Sequence, residues 1–261
     1  MPPLPLMFLL ALGQAPLLGV WWAFEGGGFG PGYLAPAAGS VALNVVANAA
    51  FIVAFQRSPL SVTVPLLSLT PAFTALFAVP LLGEVPDGVT VTGIALVVAG
   101  ALLLNRRPGE SLWPAAVGRA FLREPGARLM VVVALCWSIT PALDKQALAA
   151  APIPAHGVVL GLGTAAGVLA LLAFRGQVGE VRRAGAAPCL LAIALLTSAA
   201  ALGLQLVAIQ LVWVSVVETV KRGLGSAAAL GLGWALFGEE VTAGRVAAVG
   251  VMTAGVAMVL L

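Results

Sequence analysis

The chain has 261 residues, of which 61% are hydrophobic and 9% are charged, and its formal net charge is +3. Soluble globular domains carry about 25% charged residues, and a water-soluble fold of this length could not bury so much apolar surface. The composition therefore excludes a soluble protein and predicts an all-α polytopic membrane protein. The few basic residues suit loops beside lipid headgroups, so the charge gives no reason to expect a nucleic-acid partner.

Nine apolar segments follow one another along the chain, each near the length of about 20 residues that a helix needs to cross the hydrocarbon. Their approximate limits are 4–24, 33–55, 60–82, 88–105, 129–149, 156–174, 187–208, 212–237 and 244–261. Most breaks contain turn residues, as in EGGGFGPG at 25–32 and GEVPDG at 83–88. The uncharged stretch from Ala184 to Val217 is too long for one helix, so we place a tight turn near Gln210.

Segment 106–128 is the one long polar connection. It separates a first region of four spans, residues 1–105, from a second region of five spans, residues 129–261. Helical spacing of its apolar residues is compatible with an interfacial helix; these residues are Leu112, Trp113, Ala116, Val117, Ala120 and Phe121. A plain linker between the two regions is equally compatible, and both interpretations stay open.

The two regions resemble each other after a shift of 155 residues. Residues 69–84, LTPAFTALFAVPLLGE, lie over residues 224–239, LGSAAALGLGWALFGE, and Ala99–Gly100 lie over Ala254–Gly255. Such agreement over two spans predicts an internal repeat. The spans 156–174 and 187–208 lie over 4–24 and 33–55, whereas 129–149 has no counterpart.

The repeat unit therefore has five helices, of which the first copy shows four. We expect either a further helix encoded before Met1 or a protein with nine spans. Two consecutive units of five spans enter the membrane from opposite sides, which makes an inverted repeat. Inverted repeats are common in secondary transporters, whose substrate site lies near mid-membrane between the repeats.

Several motifs together resemble one transporter family. They are the pairs Gly83–Glu84 and Gly238–Glu239 between helices, Pro71 in LSLTPAF, ALCWSITPALDKQAL at 134–148, and VETVKR at 217–222 followed by LGWALFGE. In this pattern the chain resembles the EamA-type transporters of the drug/metabolite transporter (DMT) superfamily. The resemblance implies ten helices in two inverted repeats, moving small metabolites by alternating access. It also implies a multi-pass protein among the lipids of a bacterial inner membrane, with efflux as the expected direction.

Three charged residues, Glu218, Lys221 and Arg222, lie in the middle of the apolar span 212–237. A break at the charges would leave pieces of fewer than 16 residues, roughly 24 Å long, which is too short for about 30 Å of hydrocarbon. One continuous helix is therefore predicted. Each charge costs about 2.5–3.5 kcal/mol at mid-bilayer, so the charges must face protein or water.

The spacing of the three charges places them on one helix face, because Glu218 precedes Lys221 by three residues and Arg222 by four. Glu218 neutralises one cation and one positive charge remains. The cluster is then either a cationic anchor for a carboxylate or phosphate of the substrate, or a buried ion cluster that fixes helix packing. Arginine favours the first interpretation, because it binds oxyanions in a bidentate manner.

Other candidates for the substrate site are weaker. Asn44 and Asn48 lie one turn apart in 33–55, and Gln205 lies in the equivalent span; they either face a cavity or bond neighbouring helices. Trp137 either lines the cavity or anchors the membrane interface. Asp144 either pairs with the charged cluster or lies at the interface. It is the coupling candidate if protons drive transport, while exchange and uncoupled export stay open.

Some further residues are given structural roles. His156 is predicted to be interfacial, and Glu84 and Glu239 are predicted to be solvated carboxylates at turns. Pro65, Pro71 and Pro141 are expected to bend their helices. The small residues of GLGTAAG at 161–167 and GLGSAAALGLG at 223–233 are expected to allow close helix packing.

The motifs of other protein classes are missing from the sequence. It contains no CxxC, no HExxH and no GxxxxGK[ST], and His156 is its only histidine. We therefore predict no metal, no cofactor, no direct use of ATP and no enzymatic activity. The alternatives to a carrier are a lipid-headgroup flippase and a membrane scaffold that transports nothing.

The orientation in the membrane is predicted differently by two arguments. One side of the membrane receives ten arginines, namely Arg57, Arg106, Arg107, Arg119, Arg123, Arg128, Arg175, Arg182, Arg183 and Arg245, and the other receives Lys145 alone. The positive-inside rule makes the arginine side cytoplasmic, which puts Met1 inside and Leu261 outside for nine spans. The family resemblance implies a cytoplasmic C-terminus instead.

Overall fold

The computed structural model describes residues 3–58, 63–104, 124–184, 188–238 and 241–261, and within these ranges the chain forms helices and no strands. The long helices are α1 Pro3–Glu25, α2 Leu34–Arg57, α3 Thr70–Leu82, α4 Gly88–Leu104, α5 Pro125–Leu148, α6 Ile153–Phe174, α7 Pro188–Leu211, α8 Val214–Phe237 and α9 Ala243–Val259. A 3-10 helix, Val64–Leu69, precedes α3, and two short helical turns, Val178–Glu180 and Val181–Ala184, follow α6. The all-α polytopic fold is confirmed.

Eight of the nine expected spans agree with helices to within a few residues, whereas in the span 60–82 the α-helix begins only at Thr70. The turn expected near Gln210 lies at 212–213, between α7 and α8. Within the part of the chain that the structure describes, five helices are long and apolar enough to cross a membrane: α1, α2, α5, α6 and α7. As predicted, α8 is continuous through Glu218, Lys221 and Arg222. The interfacial helix considered for 112–121 lies outside the described residues.

Two helices of the predicted repeat end in the same way. Gly83 after α3 and Gly238 after α8 have left-handed backbones, with φ of 70° and 65°. The N–H of Gly83 donates to the carbonyl of Val79 at 2.9 Å, and that of Gly238 donates to Trp234 at 3.2 Å. A residue with a Cβ is strained in this conformation, which explains why both copies have glycine at the helix end.

The prolines do not all act as expected. The span 60–82 was expected to be one bent helix, but it is divided into the 3-10 helix Val64–Leu69 and α3. Pro71 lies in the first turn of α3, where a backbone N–H has no partner within the helix and its loss costs little. Pro141 lies inside α5, which is assigned without a break.

The chain divides into two compact units. The first unit contains Met1–Ile52 and Ile139–Leu211, and the second contains Val53–Ser138 and Val212–Leu261. Each unit therefore combines helices from both copies of the predicted repeat. The division into regions 1–105 and 129–261 stays a prediction.

In the first unit, α1 packs against α6 and α7. A Cβ at Gly161 would lie 2.9 Å from the carbonyl oxygen of Ala11, and one at Gly163 would lie 2.8 Å from a methyl group of Val41. Small residues on α6 thus let its neighbours approach closely, as predicted for 161–167. For 223–233 the outcome differs between positions: a Cβ at Gly223 would clash with the side chain of Val256, whereas nothing lies within 4 Å of a Cβ at Gly225 or Gly231.

In the second unit, α4 and α9 are in close contact. A Cβ at Gly93 would lie 2.6 Å from the carbonyl oxygen of Gly255, and one at Gly100 would lie 2.8 Å from that of Ala248. These glycines allow the two backbones to touch. Since the earlier residue of α4 meets the later residue of α9, the helices are antiparallel.

The faces that α4 and α9 bury are related by the shift of 155 residues that aligns the two regions of the sequence. Adding 155 to the buried residues Gly93, Val97, Gly100 and Ala101 of α4 gives the buried residues Ala248, Met252, Gly255 and Val256 of α9. Antiparallel helices that meet through the same face are related by a two-fold axis perpendicular to both. The contact therefore has the symmetry that an inverted repeat predicts.

Candidate functional site

The start of α8 is held by a carboxylate from another helix end. The side chain of Glu84, which follows α3, accepts a hydrogen bond of 2.9 Å from the backbone N–H of Val214. Glu84 is buried, so the prediction of a solvated turn residue is wrong. A carboxylate at this end of a helix satisfies a free N–H group and stabilises the positive end of the helix dipole. Glu239 lies outside the described residues.

The predicted charged cluster on α8 contains a close ion pair. Lys221 Nζ lies 2.6 Å from Glu218 Oε1. Glu218 is buried, whereas the Lys221 side chain is 45% exposed. Lys221 is therefore the cation that Glu218 neutralises, as expected from the sequence. The second cation of the cluster, Arg222, has different contacts.

Arg222 is half-buried, and its Nη2 contacts the hydroxyl oxygen of Thr70 at 3.4 Å. The Thr70 hydroxyl donates its own hydrogen to the carbonyl of Leu67 at 2.6 Å, so its lone pairs are free to face the guanidinium. Among the carboxylates that the structure describes, none forms a salt bridge with Arg222. The guanidinium is thus held by a neutral group and keeps its full positive charge.

Two buried hydroxyl groups near this cluster have no hydrogen-bond partner within the described residues. They belong to Thr74, one turn after Thr70 on α3, and to Ser215, one turn before Glu218 on α8. The helices α3 and α8 pack against each other. An unsatisfied buried hydroxyl costs about 1–3 kcal/mol, so both are candidates to bond a polar atom of a ligand.

Of the other predicted site residues, Trp137 lies half-buried on the part of α5 that belongs to the second unit. Asn44, Asn48 and Gln205 are half-buried in the first unit. Asn44 donates to the carbonyl of Ser40 at 3.1 Å, and Asn48 donates to that of Asn44 at 2.8 Å. Both amide groups therefore bond back onto α2 itself.

Asp144 is the centre of a buried polar group in the first unit. Its Oδ1 accepts a short hydrogen bond from the Ser40 hydroxyl and lies 3.2 Å from His156 Nε2. Asp144 is 3% exposed, so it is not a solvated residue of the membrane interface. Its contacts in the first unit are with Ser40 and His156, which the sequence analysis did not anticipate.

His156 joins Asp144 to the only tyrosine of the chain. The Tyr33 hydroxyl lies 3.0 Å from His156 Nδ1, and the two rings meet edge to face. His156 has an exposure of 0%, so the prediction of an interfacial side chain is wrong. Sequence reasoning missed Tyr33, Ser40 and His156. The single available signal was the four-residue spacing of Ser40, Asn44 and Asn48 on α2, which places three polar residues on one face.

Comparisons with known proteins address the chain as a whole. The model of the EamA-like transporter family matches residues 1–106 and 124–261. Among solved structures 25 chains match. In one of them, a crystal structure of a protein, the alignment covers 99% of this chain and 87% of the other chain, with 18% sequence identity and a TM-score of 0.77. At this identity the likeness concerns the fold alone. No curated protein matches.

Proposed function

Because the chain belongs to the EamA-like transporter family of the DMT superfamily, we propose that it carries a small metabolite with a carboxylate or phosphate group, and that Arg222 binds this group. Membership makes the chain an integral, multi-pass membrane protein of a family of transporters. Export across a bacterial inner membrane, the identity of the solute and the role of each residue are parts of the proposal.

The surplus positive charge of the cluster, in which one carboxylate, Glu218, faces two cations, is the observation that carries this proposal. Lys221 is paired with Glu218 at 2.6 Å, whereas Arg222 has the neutral Thr70 hydroxyl at 3.4 Å. A charge at membrane depth costs about 2.5–3.5 kcal/mol, and a neutral hydroxyl offsets little of it. An anionic oxygen would replace this long contact by a charge-assisted hydrogen bond, which is about twice as strong as a neutral one.

The neighbouring hydroxyl groups support the same assignment. Thr74 and Ser215 are buried and have unsatisfied oxygen atoms, and each lies on a helix that also contributes to the contact of Arg222 with Thr70. A solute that bears hydroxyl or phosphate oxygens beside its charge would satisfy them. We therefore favour a polar anion over a hydrophobic one.

We propose alternating access as the mechanism, with the two inverted repeats rocking about the bound solute. The symmetric contact of α4 with α9 supports this proposal, because helices related by a two-fold axis can exchange roles between the inward-open and outward-open states. Glu218 keeps Lys221 neutralised, so one positive charge is available for one anionic group.

A ligand screen followed by a flux assay tests the proposal. Purified protein is heated with a panel of carboxylates and phosphates and with the neutral amide or alcohol matched to each, and the stabilising compounds are then assayed for uptake into proteoliposomes. We expect anions to stabilise the protein and Arg222→Gln to abolish both stabilisation and flux. Arg175→Gln is the control, because Arg175 is exposed at the end of α6. Flux at the wild-type rate through Arg222→Gln refutes the proposal.

A further inference from the structure

We propose that His156 and Asp144 together form a proton-binding site, and that the proton bound there is the coupling ion of transport. This inference deepens the proposed function and depends on the protein being a carrier. It adds His156, Tyr33 and Ser40 to a site for which the sequence suggested Asp144 alone.

The hydrogen bonds around His156 fit two protonation states without any rearrangement. Asp144 Oδ1 can only accept when ionised, so His156 Nε2 donates to it across 3.2 Å. In neutral imidazole, Nδ1 is then an acceptor and takes the hydrogen of the Tyr33 hydroxyl across 3.0 Å. When Nδ1 gains a proton it becomes a donor, and the Tyr33 oxygen can accept in its turn, because a phenol does both.

The charge of the pair favours the uptake of one proton. With neutral His156 and ionised Asp144 the buried group has a net charge of −1, and with one more proton it is neutral. Ser40 stabilises the carboxylate by a hydrogen bond but contributes no charge. A buried, uncompensated charge is unfavourable, so the closed site is most stable when it holds the proton.

The surrounding helices contribute few groups that could replace the proton. On α5, Lys145 follows Asp144 directly, but adjacent residues of a helix do not face each other. The helices α1 and α7 and the short turn Val178–Glu180 also pack against α6. Glu25 of α1 and Cys189 of α7 are exposed, and Glu180 follows the C-terminal end of α6, whereas His156 lies in its first turn. From the α2 side the group receives Tyr33 and Ser40.

Polar side chains continue from the proton-binding group along one face of α2. Ser40, Asn44 and Asn48 follow each other at intervals of one turn, and the Asn44 amide lies 3.5 Å from the Ser40 hydroxyl. Asn44 and Asn48 are half-buried, whereas Asp144 is 3% exposed. The row therefore leads from the sealed acid towards more accessible positions. In this conformation the proton is occluded, as a coupling ion must be between its uptake and its release.

The uniqueness of His156 and Tyr33 makes the site directly observable, since the chain has one histidine and one tyrosine. Protein labelled with 15N-histidine and purified through an affinity tag without histidine gives a single imidazole spectrum. We expect that spectrum to change from that of neutral to that of charged imidazole as the proton concentration is raised, because Nδ1 gains the proton while Nε2 keeps its contact with Asp144. In Asp144→Asn the response of the imidazole spectrum to pH should differ from that of wild type, because the carboxylate that accepts from Nε2 is lost.

Controls and flux measurements separate this inference from the proposed function. Asp87→Asn makes the same substitution in the second unit, in the exposed turn before α4, and should leave the imidazole titration unchanged. A wild-type imidazole that does not respond to pH, or the same titration in Asp144→Asn, overturns the proton site whatever the carrier does. If Arg222→Gln abolishes flux of the stabilising anion while His156→Gln still responds to a pH gradient like wild type, the carrier stands and the coupling role is wrong. If the imidazole titrates as expected but Arg222→Gln transports normally, the anion anchor is wrong and the proton site stands.

Discussion

The close contact of α4 with α9 predicts that adding one methyl group at Gly255 destabilises the protein. A Cβ there would lie 2.6 Å from the carbonyl oxygen of Gly93 and 2.9 Å from both Leu96 Cβ and Val97 Cγ2. Ordinary contacts begin near 3.4 Å, so the backbone of α4 would have to retreat by about 0.8 Å (3.4 minus 2.6). A backbone carbonyl in a helix cannot rotate away as a side chain can.

The expected size of the effect follows from two opposing terms. Overpacking of a tight contact costs about 1–3 kcal/mol. The clash at Gly255 involves a backbone carbonyl, so we take the upper part of this range, about 2–3 kcal/mol. Replacing glycine by alanine inside a helix gains about 1 kcal/mol, so the net loss for Gly255→Ala is on the order of 1–2 kcal/mol. For a chain of this length that corresponds to a decrease of the melting temperature by roughly 2–8 °C.

Gly250→Ala is the matched control for this experiment. Gly250 lies on the same helix, and nothing lies within 4 Å of a Cβ at this position, so alanine there should leave the melting temperature unchanged or raise it. All variants are heated in the same detergent and at the same scan rate, because irreversible unfolding depends on rate. A Gly255→Ala protein as stable as wild type, or two variants that lose the same stability, would refute the assignment of Gly255 to the helix contact.

Three further predictions concern charged residues of the second unit. Glu84→Ala should lower the melting temperature by the equivalent of about 0.5–2 kcal/mol, as for the loss of a helix cap. Glu84→Gln should lower it less, because an amide oxygen can still accept the hydrogen bond from the N–H of Val214. Equal losses in the two variants would contradict the capping role of Glu84. Glu218→Gln leaves Lys221 and Arg222 as neighbouring like charges and should lower the free energy of unfolding by on the order of 1–3 kcal/mol, a range reduced because the Lys221 side chain is 45% exposed. The double variant Glu218→Gln/Lys221→Gln should recover most of this loss. No recovery would contradict the ion pair. The backbone N–H of Thr90 donates to Asp87 at 2.8 Å and lowers the pKa of this exposed carboxyl. The contribution of the ionised carboxyl to stability is therefore present above the ordinary pKa of aspartate and is lost as the pH falls through the lowered value. The difference in melting temperature between wild type and Asp87→Asn should vanish in acid, and a difference that grows in acid would show the opposite linkage.

The helices could be predicted from the sequence because length and hydropathy determine them. A segment that crosses the membrane must satisfy its backbone groups within itself, so each apolar run of about 20 residues becomes a helix. The turn between α7 and α8 was predictable from the same length limit. The repeat could be recognised in the sequence because the helices before Gly83 and Gly238 both end in a left-handed backbone conformation. Glycine adopts this conformation without strain, so both copies have it at the same position.

The contacts of individual polar residues could not be predicted in this way. Ser40 and Asp144 are separated by 104 residues, Tyr33 and His156 by 123, and Glu84 and Val214 by 130. No periodicity of the sequence connects such pairs, because they depend on how helices are arranged side by side. Tyr33 and His156 also occur once each, so neither formed a pattern that could be recognised.

Two of the buried carboxylates that the structure describes, Glu218 and Asp144, have opposite surroundings, and this difference connects the two proposals. Glu218 is accompanied by two cations, Lys221 and Arg222, which leaves its surroundings with a surplus positive charge. Asp144 is accompanied by Ser40 and His156, which leaves a surplus negative charge as long as the imidazole is neutral. Each surplus is unfavourable in a membrane, and under the two proposals each would be removed by a different ligand, an anionic solute for Arg222 and a proton for His156. A carrier changes conformation most readily when its buried charges are compensated. On these proposals the closed conformation is therefore favoured when the anionic solute and the proton are both bound, and it is disfavoured when one of the two is bound alone. This preference is the physical condition for coupling one flux to the other.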